Sequence, residues 1–426
     1  MRPIVGLITS EALAYTGTRL AMIAIPWFVL ETTGSPAQMG LVTLFELGAY
    51  TLARLFVGPL LDRVGQRAVS IRVDLIAAAA LLAVPILFTA GLLPFPVLLA
   101  LVTVIGLATG PSEAAKVSLA PFVAAAANVR VERVTGLAGT VDRLSMTVGP
   151  IAAGAVVAAL GALTALYVNA VLMVLSALVM AFLLSRGTEV AGPARTDPEE
   201  GDGYLARLHA GWRAVWGDLP LRMLVAMILV TNIVDVAVMS LALPVWAHEG
   251  GWGAEAVGLV AGTLGGASVV GSLVAAWVGH RLPRRAAFFA AMVIAGPPRV
   301  LVLALDVPLW VVLVVWAVSG LGGGLINPIL SAVIFERLPG HMVGRGMSMV
   351  GALARVGAPI AAPGIGAAIG LLGVSPVLAA GAAVYLAAVA LPAFGRAAKR
   401  LERPLEEPGT APQGTQTQRA TRARRR

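Results

Sequence analysis

The chain has 426 residues, 58% of them hydrophobic and only 12% charged, with a mean hydropathy of +0.88. Apolar runs of about twenty residues recur from end to end, which excludes a soluble globular protein and makes this a polytopic membrane protein. The formal charge of +9 and the absence of cysteine narrow it further. No disulfide, no thiolate chemistry and no Cys-containing zinc or iron–sulfur site is possible. Ala, Gly, Leu and Val dominate without strand-like alternation, so the backbone is expected to close its hydrogen bonds within helices rather than in a barrel. The 48 glycines suit close helix packing.

In chain order, windows of about 20 residues give twelve spans, near 4–30, 37–61, 71–91, 94–117, 134–159, 162–185, 222–246, 255–279, 285–305, 308–333, 345–371 and 375–396. The first span is too long for a signal-peptide core and carries Glu11 and Arg19, so it reads as a retained helix. A polar stretch between the sixth and seventh spans, centred on 196–203, reads as a linker and divides the chain into six plus six. The expected domains are therefore 1–185, a linker with an amphipathic segment over 186–221, a second six-helix unit over 222–396, and a disordered basic tail over 397–426.

Of the 31 Lys and Arg, 25 fall in alternate loops or the tail and six lie inside spans, leaving the opposite loops with none. Both termini are then expected on the cytoplasmic side of the plasma membrane. This asymmetry accounts for the net charge without nucleic acid; attraction of the tail to anionic lipid is the sharper alternative to plain disorder. The histidines His209, His248, His280 and His341 fall in expected loops at no metal-ligand spacing and read as solvated. No metal or cofactor is implied.

The two halves repeat one another. Pro26, Gly40, Asp62 and Arg67 match Pro244, Gly258, His280 and Arg285 at a constant offset of 218. Gly106-Leu107 recurs as Gly320-Leu321, and Gly149-Pro150-Ile151-Ala152-Ala153 as Ala358-Pro359-Ile360-Ala361-Ala362. Parallel repeats of this kind imply two bundles around a central cavity, reached from alternate sides as they rock.

The turn Gly58-Pro59-Leu60-Leu61-Asp62-Arg63-Val64-Gly65-Gln66-Arg67 resembles the loop between transmembrane helices 2 and 3 of the major facilitator superfamily, with Gln66 standing where a second Arg is usual. An ordinary positive-inside loop is the plainer reading of the same residues. Three further stretches resemble the macrolide-efflux type of drug:proton antiporter. They are Pro26-Trp27-Phe28-Val29-Leu30-Glu31 continuing to Gly40-Leu41-Val42, then Gly211-Trp212-Arg213 with Pro220-Leu221-Arg222, and the Gly149-Pro150 motif with Gly154. The fourth span lacks the Arg found in several antiporter groups and offers Glu113 and Lys116 instead.

The resemblance implies an all-α integral membrane protein, with twelve transmembrane helices as two pseudo-symmetric six-helix bundles. It further implies a monomeric secondary transporter that is no enzyme and exports a bulky, amphiphilic drug or metabolite, a cationic one included. Protons and membrane lipid are its other partners. A gating latch at Gly58, Asp62, Arg63, Gly65 and Arg67 comes with it, placing Asp62 against the start of the eleventh span near 344–347. Uptake of a small solute and a transport-dead sensor or scaffold are the alternatives. Ionisable groups inside the spans are the candidates for coupling: Glu11, Glu46, Glu113, Asp142 and Asp235, with Arg54 and the polar Asn327. A helix rise of about 1.5 Å per residue sets Arg54, Glu113 and Asp142 at similar depths, so they are expected to meet. Structural ion pairs are the bland reading for each. Tyr15, Trp27 and Trp246 are candidate cavity aromatics, interface anchoring being the other role open to the tryptophans.

Overall fold

The computed structural model describes residues 1–185, 212–213, 216–278, 283–337 and 343–395. Those residues are helical almost throughout, and no strand occurs among them. The first half runs through α1 (Arg2–Thr33), α2 (Pro36–Phe56), the short α3 (Gly58–Val64), α4 (Gln66–Thr89), α5 (Phe95–Ala126) and α6 (Val131–Leu183). The second comprises α7 (Leu219–Ala237), which passes through the π-helical turn Val238–Ala242 into α8 (Leu243–Glu249), then α9 (Gly253–Val278), α10 (Arg284–Ala295), α11 (Pro297–Val302), α12 (Leu309–Arg337), α13 (Val343–Leu372) and α14 (Val374–Ala393). Ten described stretches are long and apolar enough to cross a membrane, with 131–183 counted once.

Local chemistry fixes the ends. Gly34 adopts φ 59° and returns its N–H to the Leu30 carbonyl at 2.8 Å, while the Ser35 hydroxyl accepts from the Gln38 N–H and Pro36 opens α2. A C-cap, an N-cap and a first-turn proline thus share three consecutive residues and make a tight hairpin. Gly161, with φ 79° and ψ 159°, breaks the 53-residue run of α6 at the boundary expected between the fifth and sixth spans. At the start of α7 the Asp218 carboxylate accepts from the Leu221 N–H at 2.8 Å, so the helix begins slightly ahead of the expected 222. Gly296 separates α10 from α11 ahead of Pro297 and Pro298, which have no N–H to continue the helix, and the Tyr385 ring leaves no room for a side chain there.

The repeat seen in the sequence recurs in the packing. A methyl on Gly110 would fall 2.6 Å from the Tyr50 carbonyl oxygen, and Gly324 meets the Ser268 carbonyl in the same way; Tyr50 and Ser268 are 218 residues apart. Gly106 packs on the Glu46 carbonyl as Gly320 does on that of Leu264. Small residues let backbones touch where lipid supplies no hydrophobic drive between helices. Arg67 donates to the Leu184 and Ala181 carbonyls at 2.8 and 2.7 Å, and Arg285 donates to the Ala393 carbonyl at 2.6 Å. Each guanidinium closes the C-terminal end of the last helix of its half, where free carbonyls and the negative dipole end attract a cation.

Contacts between the halves run along two seams, α2 on α13 and α6 on α9. At the first, Gly40 would place a methyl 2.5 Å from the Ala362 carbonyl; at the second, Gly258 would place one 2.5 Å from the Pro150 carbonyl. Both seams lie toward the ends of α2 and α9 whose preceding loops carry no Lys or Arg. Trp27 meets His248 edge to face at 5.6 Å on that same side.

Candidate functional site

A cavity of about 460 Å³ lies between the halves. The first half contributes Arg19, Met22 and Ile23 from α1 and Arg143, Met146 and Pro150 from α6. Most of the wall comes from the second half, including Asp235, Met239, Arg299, Asn327 and Tyr385. Of the residues singled out in the sequence, Asp235, Asn327 and Pro150 line this space, whereas Glu11, Glu46, Arg54 and Glu113 do not. Tyr15, Trp27 and Trp246 are also absent from its wall. Trp27 is buried and donates to Glu31 at 2.7 Å, and Trp246 is buried and stacks with Trp252 at 6.3 Å.

Asp235, on α7, accepts from Arg299 at the start of α11 in a very short ion pair. The kink at Gly296, with two prolines after it, turns that arginine inward. Its carbonyl accepts from the Trp316 indole at 3.0 Å and its guanidinium lies 5.7 Å from the same ring, so one tryptophan holds both ends of the residue.

Glu113 is held by α2. Arg54 donates to Glu113 Oε2 at 2.6 Å and to Tyr50 Oη at 2.5 Å, and Tyr50 Oη donates to the same carboxylate oxygen at 2.6 Å. Asp142 does not join this group as its depth suggested. It faces Arg19 of α1 at 3.9 Å, because helical rotation, which depth along an axis cannot reveal, turns it that way. Gly149 makes room for Arg19, whose Cγ would lie 2.8 Å from a methyl there. Gly154 packs on the Ala254 carbonyl across the α6–α9 seam.

A fourth cluster was not foreseen, because Asp74 was not among the candidates. Lys116 donates to Asp74 Oδ2 at 2.7 Å and to Ser112 Oγ at 2.5 Å; Ser112 donates to Asp74 Oδ1 at 2.5 Å and Ser176 to Asp74 Oδ2 at 2.7 Å. Ser10 and Ser176 complete it with their hydroxyls 2.9 Å apart. Four helices are tied together here in full burial. The signal available was Asp74 inside an apolar span with Lys116 inside another.

Glu11 is the exception. It is 1% exposed, and neither carboxylate oxygen has a hydrogen-bond partner among the described residues. Glu46 is half-buried. In the charged turn, Gly65 takes φ 88° to join α3 to α4, Asp62 and Arg63 are exposed, and Arg67 serves the cap already described. His248 is exposed but in ring contact with Trp27, while His209, His280 and His341 lie outside the described residues. So do the centre of the linker, the tail from 396 and the side chains at 344–347.

An all-helical membrane chain with an ion-paired cavity between two halves that repeat one another belongs to the class of membrane transporters. The sequence profile of the Major Facilitator Superfamily matches residues 7–241 and 225–425, and the chain belongs to that family. It is similar to the multidrug efflux pump Tap of Mycobacterium tuberculosis, 29% identical over 403 residues that cover 91% of this chain and 90% of the relative. Tap of Mycolicibacterium fortuitum is 27% identical over 361 residues, covering 84% and 87%. Among solved structures, the nucleoside transporter NupG aligns with a TM-score of 0.76 at 12% identity, over 92% of this chain and 98% of that one. A bacterial homologue of the human lysosomal transporter Spinster, in an inward-facing and unoccupied conformation, aligns at 0.67 and 14% identity over 94% and 95%.

Proposed function

We propose that the chain is a proton-driven exporter of bulky amphiphilic compounds. It has twelve membrane crossings, with 131–160 and 162–183 counted separately and α13, whose apolar part is the shorter Val356–Leu372, added. They form two six-helix bundles over 1–185 and 222–396, joined by the 186–221 linker and rocking about the central cavity. It works as a monomer in the plasma membrane with both termini cytoplasmic, and needs no cofactor beyond the proton gradient. The similarity to the Tap efflux pumps supports export. The two seams meet on the side whose loops lack Lys and Arg, which supports a state closed outward and open inward. In the opposite state Asp62 would latch the start of α13.

The observation that carries the coupling is the lone carboxyl of Glu11. Glu113, Asp142 and Asp235 each have a basic partner that answers the carboxylate charge. Glu11 has no hydrogen-bond partner among the described residues, and burying an unpaired carboxylate is expensive. Rocking that wets Glu11 from one side at a time would therefore let it exchange a proton with that side. The test compares proton-driven uptake into everted vesicles with downhill counterflow. Glu11→Gln is expected to abolish the first and keep the second, with Glu113→Gln and Asp235→Asn as paired-acid controls. Normal proton-driven uptake by Glu11→Gln would remove the basis of this reading.

A further inference from the structure

Among the described residues the cavity wall holds three guanidinium groups, from Arg19, Arg143 and Arg299, and one carboxylate, Asp235. Asp235 is committed to Arg299, and Arg19 faces Asp142 just behind the wall. Arg143 makes no ion pair or hydrogen bond through its side chain among the described residues, and it is exposed to the cavity. Its place on α6 deepens the anomaly. It stands twelve residues from the start of the helix at Val131, roughly 18 Å along the axis at the usual rise, well beyond the first turn where a basic side chain ordinarily marks a helix end. A charge left at that depth calls for a counter-charge from the solution or from a ligand.

We propose that the compound taken into this cavity carries an acidic group, a carboxylate or similar oxyanion, and that Arg143 selects it. This rests on the exporter reading above and replaces the cationic substrate that the sequence suggested. A cation entering here would meet three guanidinium groups against the single carboxylate of Asp235, which Arg299 already engages. An oxyanion meets a guanidinium whose planar fork of donors matches its two oxygens. The rest of the compound is apolar and variable in shape, since Met22, Met146, Met239 and Met292 line the same space and unbranched thioethers adapt to irregular surfaces.

The test uses the full-length protein in lipid nanodiscs and three probes sharing one apolar body: pyrenebutyrate, its primary amide and pyrenebutylamine. Binding is read by energy transfer from tryptophan at a mildly alkaline pH, each probe's affinity being corrected by its partitioning into protein-free nanodiscs of the same lipid. Wild type should bind the butyrate about tenfold more tightly than the amine, the size expected of one hydrogen-bonded charge pair. Arg143→Gln should erase that preference while holding the amide within about twofold, and Arg143→Lys should keep part of it. The retained amide affinity reports that the cavity is folded. Tighter binding of the amine by wild type, or an undiminished butyrate preference in Arg143→Gln, overturns the proposal. The same probes in everted vesicles separate the two readings. A butyrate preference set by Arg143, without proton-driven movement of any probe, supports the acidic-ligand site and counts against the exporter; proton-driven export that favours the amine does the reverse.

Discussion

Lys116 and Asp74 are 2% and 0% exposed in their side chains, and the buried pair is supported by two serine hydroxyls, Ser112 bonding to both partners and Ser176 to the carboxylate. Removing one partner strands a charge. Lys116→Met should therefore cost about 3–5 kcal/mol, and adding Asp74→Asn should restore much of it. Heating the purified protein and following the soluble folded fraction would measure both; equal melting of Lys116→Met and wild type would mean that the cluster is not an ion pair. The ionisable residues inside the spans were legible one by one, since each interrupts an apolar run. Their partners were not. Asp74 and Lys116 are 42 residues apart and Arg19 and Asp142 farther still, so pairing depends on how neighbouring helices are rotated. Glu11 could be named from its position, but its lack of a partner appears only once every neighbour is placed.

Helices were the most legible level, because a membrane demands long apolar runs and glycines mark where they stop. Gly34, Gly161 and Gly373, all with positive φ, fall at or beside expected boundaries. The interruptions inside helices were hidden, since a π-helical turn over Val238–Ala242 and the break at Gly296 leave the hydropathy unchanged. The offset of 218 was legible as identity of residues, and the packing supplies its reason at Arg67 and Arg285, which close equivalent helix ends. Arg67→Gln and Arg285→Gln should each destabilise by about 1–3 kcal/mol, the usual effect of removing hydrogen bonds made by a charged group. Proteolysis of the purified variants should then cut near 184 and near 393 respectively. Cutting elsewhere, or not at all, would show that the carbonyls are held by other means.

At the scale of the whole molecule, the freedom from cysteine makes topology and motion measurable without altering the background. Single cysteines replacing Ser35 and Ser375 should react with an impermeant maleimide in intact cells, and one replacing Gln66 should react only after the membrane is opened. Labelling of Q66C from outside would invert the orientation. The same chemistry tests whether the halves move as units. Gly40 at the α2–α13 seam has no space for a methyl beside the Ala362 carbonyl, so Gly40→Ala overpacks that seam by about 1–3 kcal/mol. If the halves are rigid, this cost is escaped only by opening both seams together, which would move the equilibrium about 5- to 150-fold toward the other state. Ala254 is 2% exposed, and its carbonyl packs against Gly154 at the far seam, α6 on α9. A cysteine there should therefore react several-fold faster when Gly40→Ala is present, although the two positions share no contact. Faster labelling at A362C with none at A254C would mean that α2 and α13 part locally, and rigid rocking would have to be abandoned.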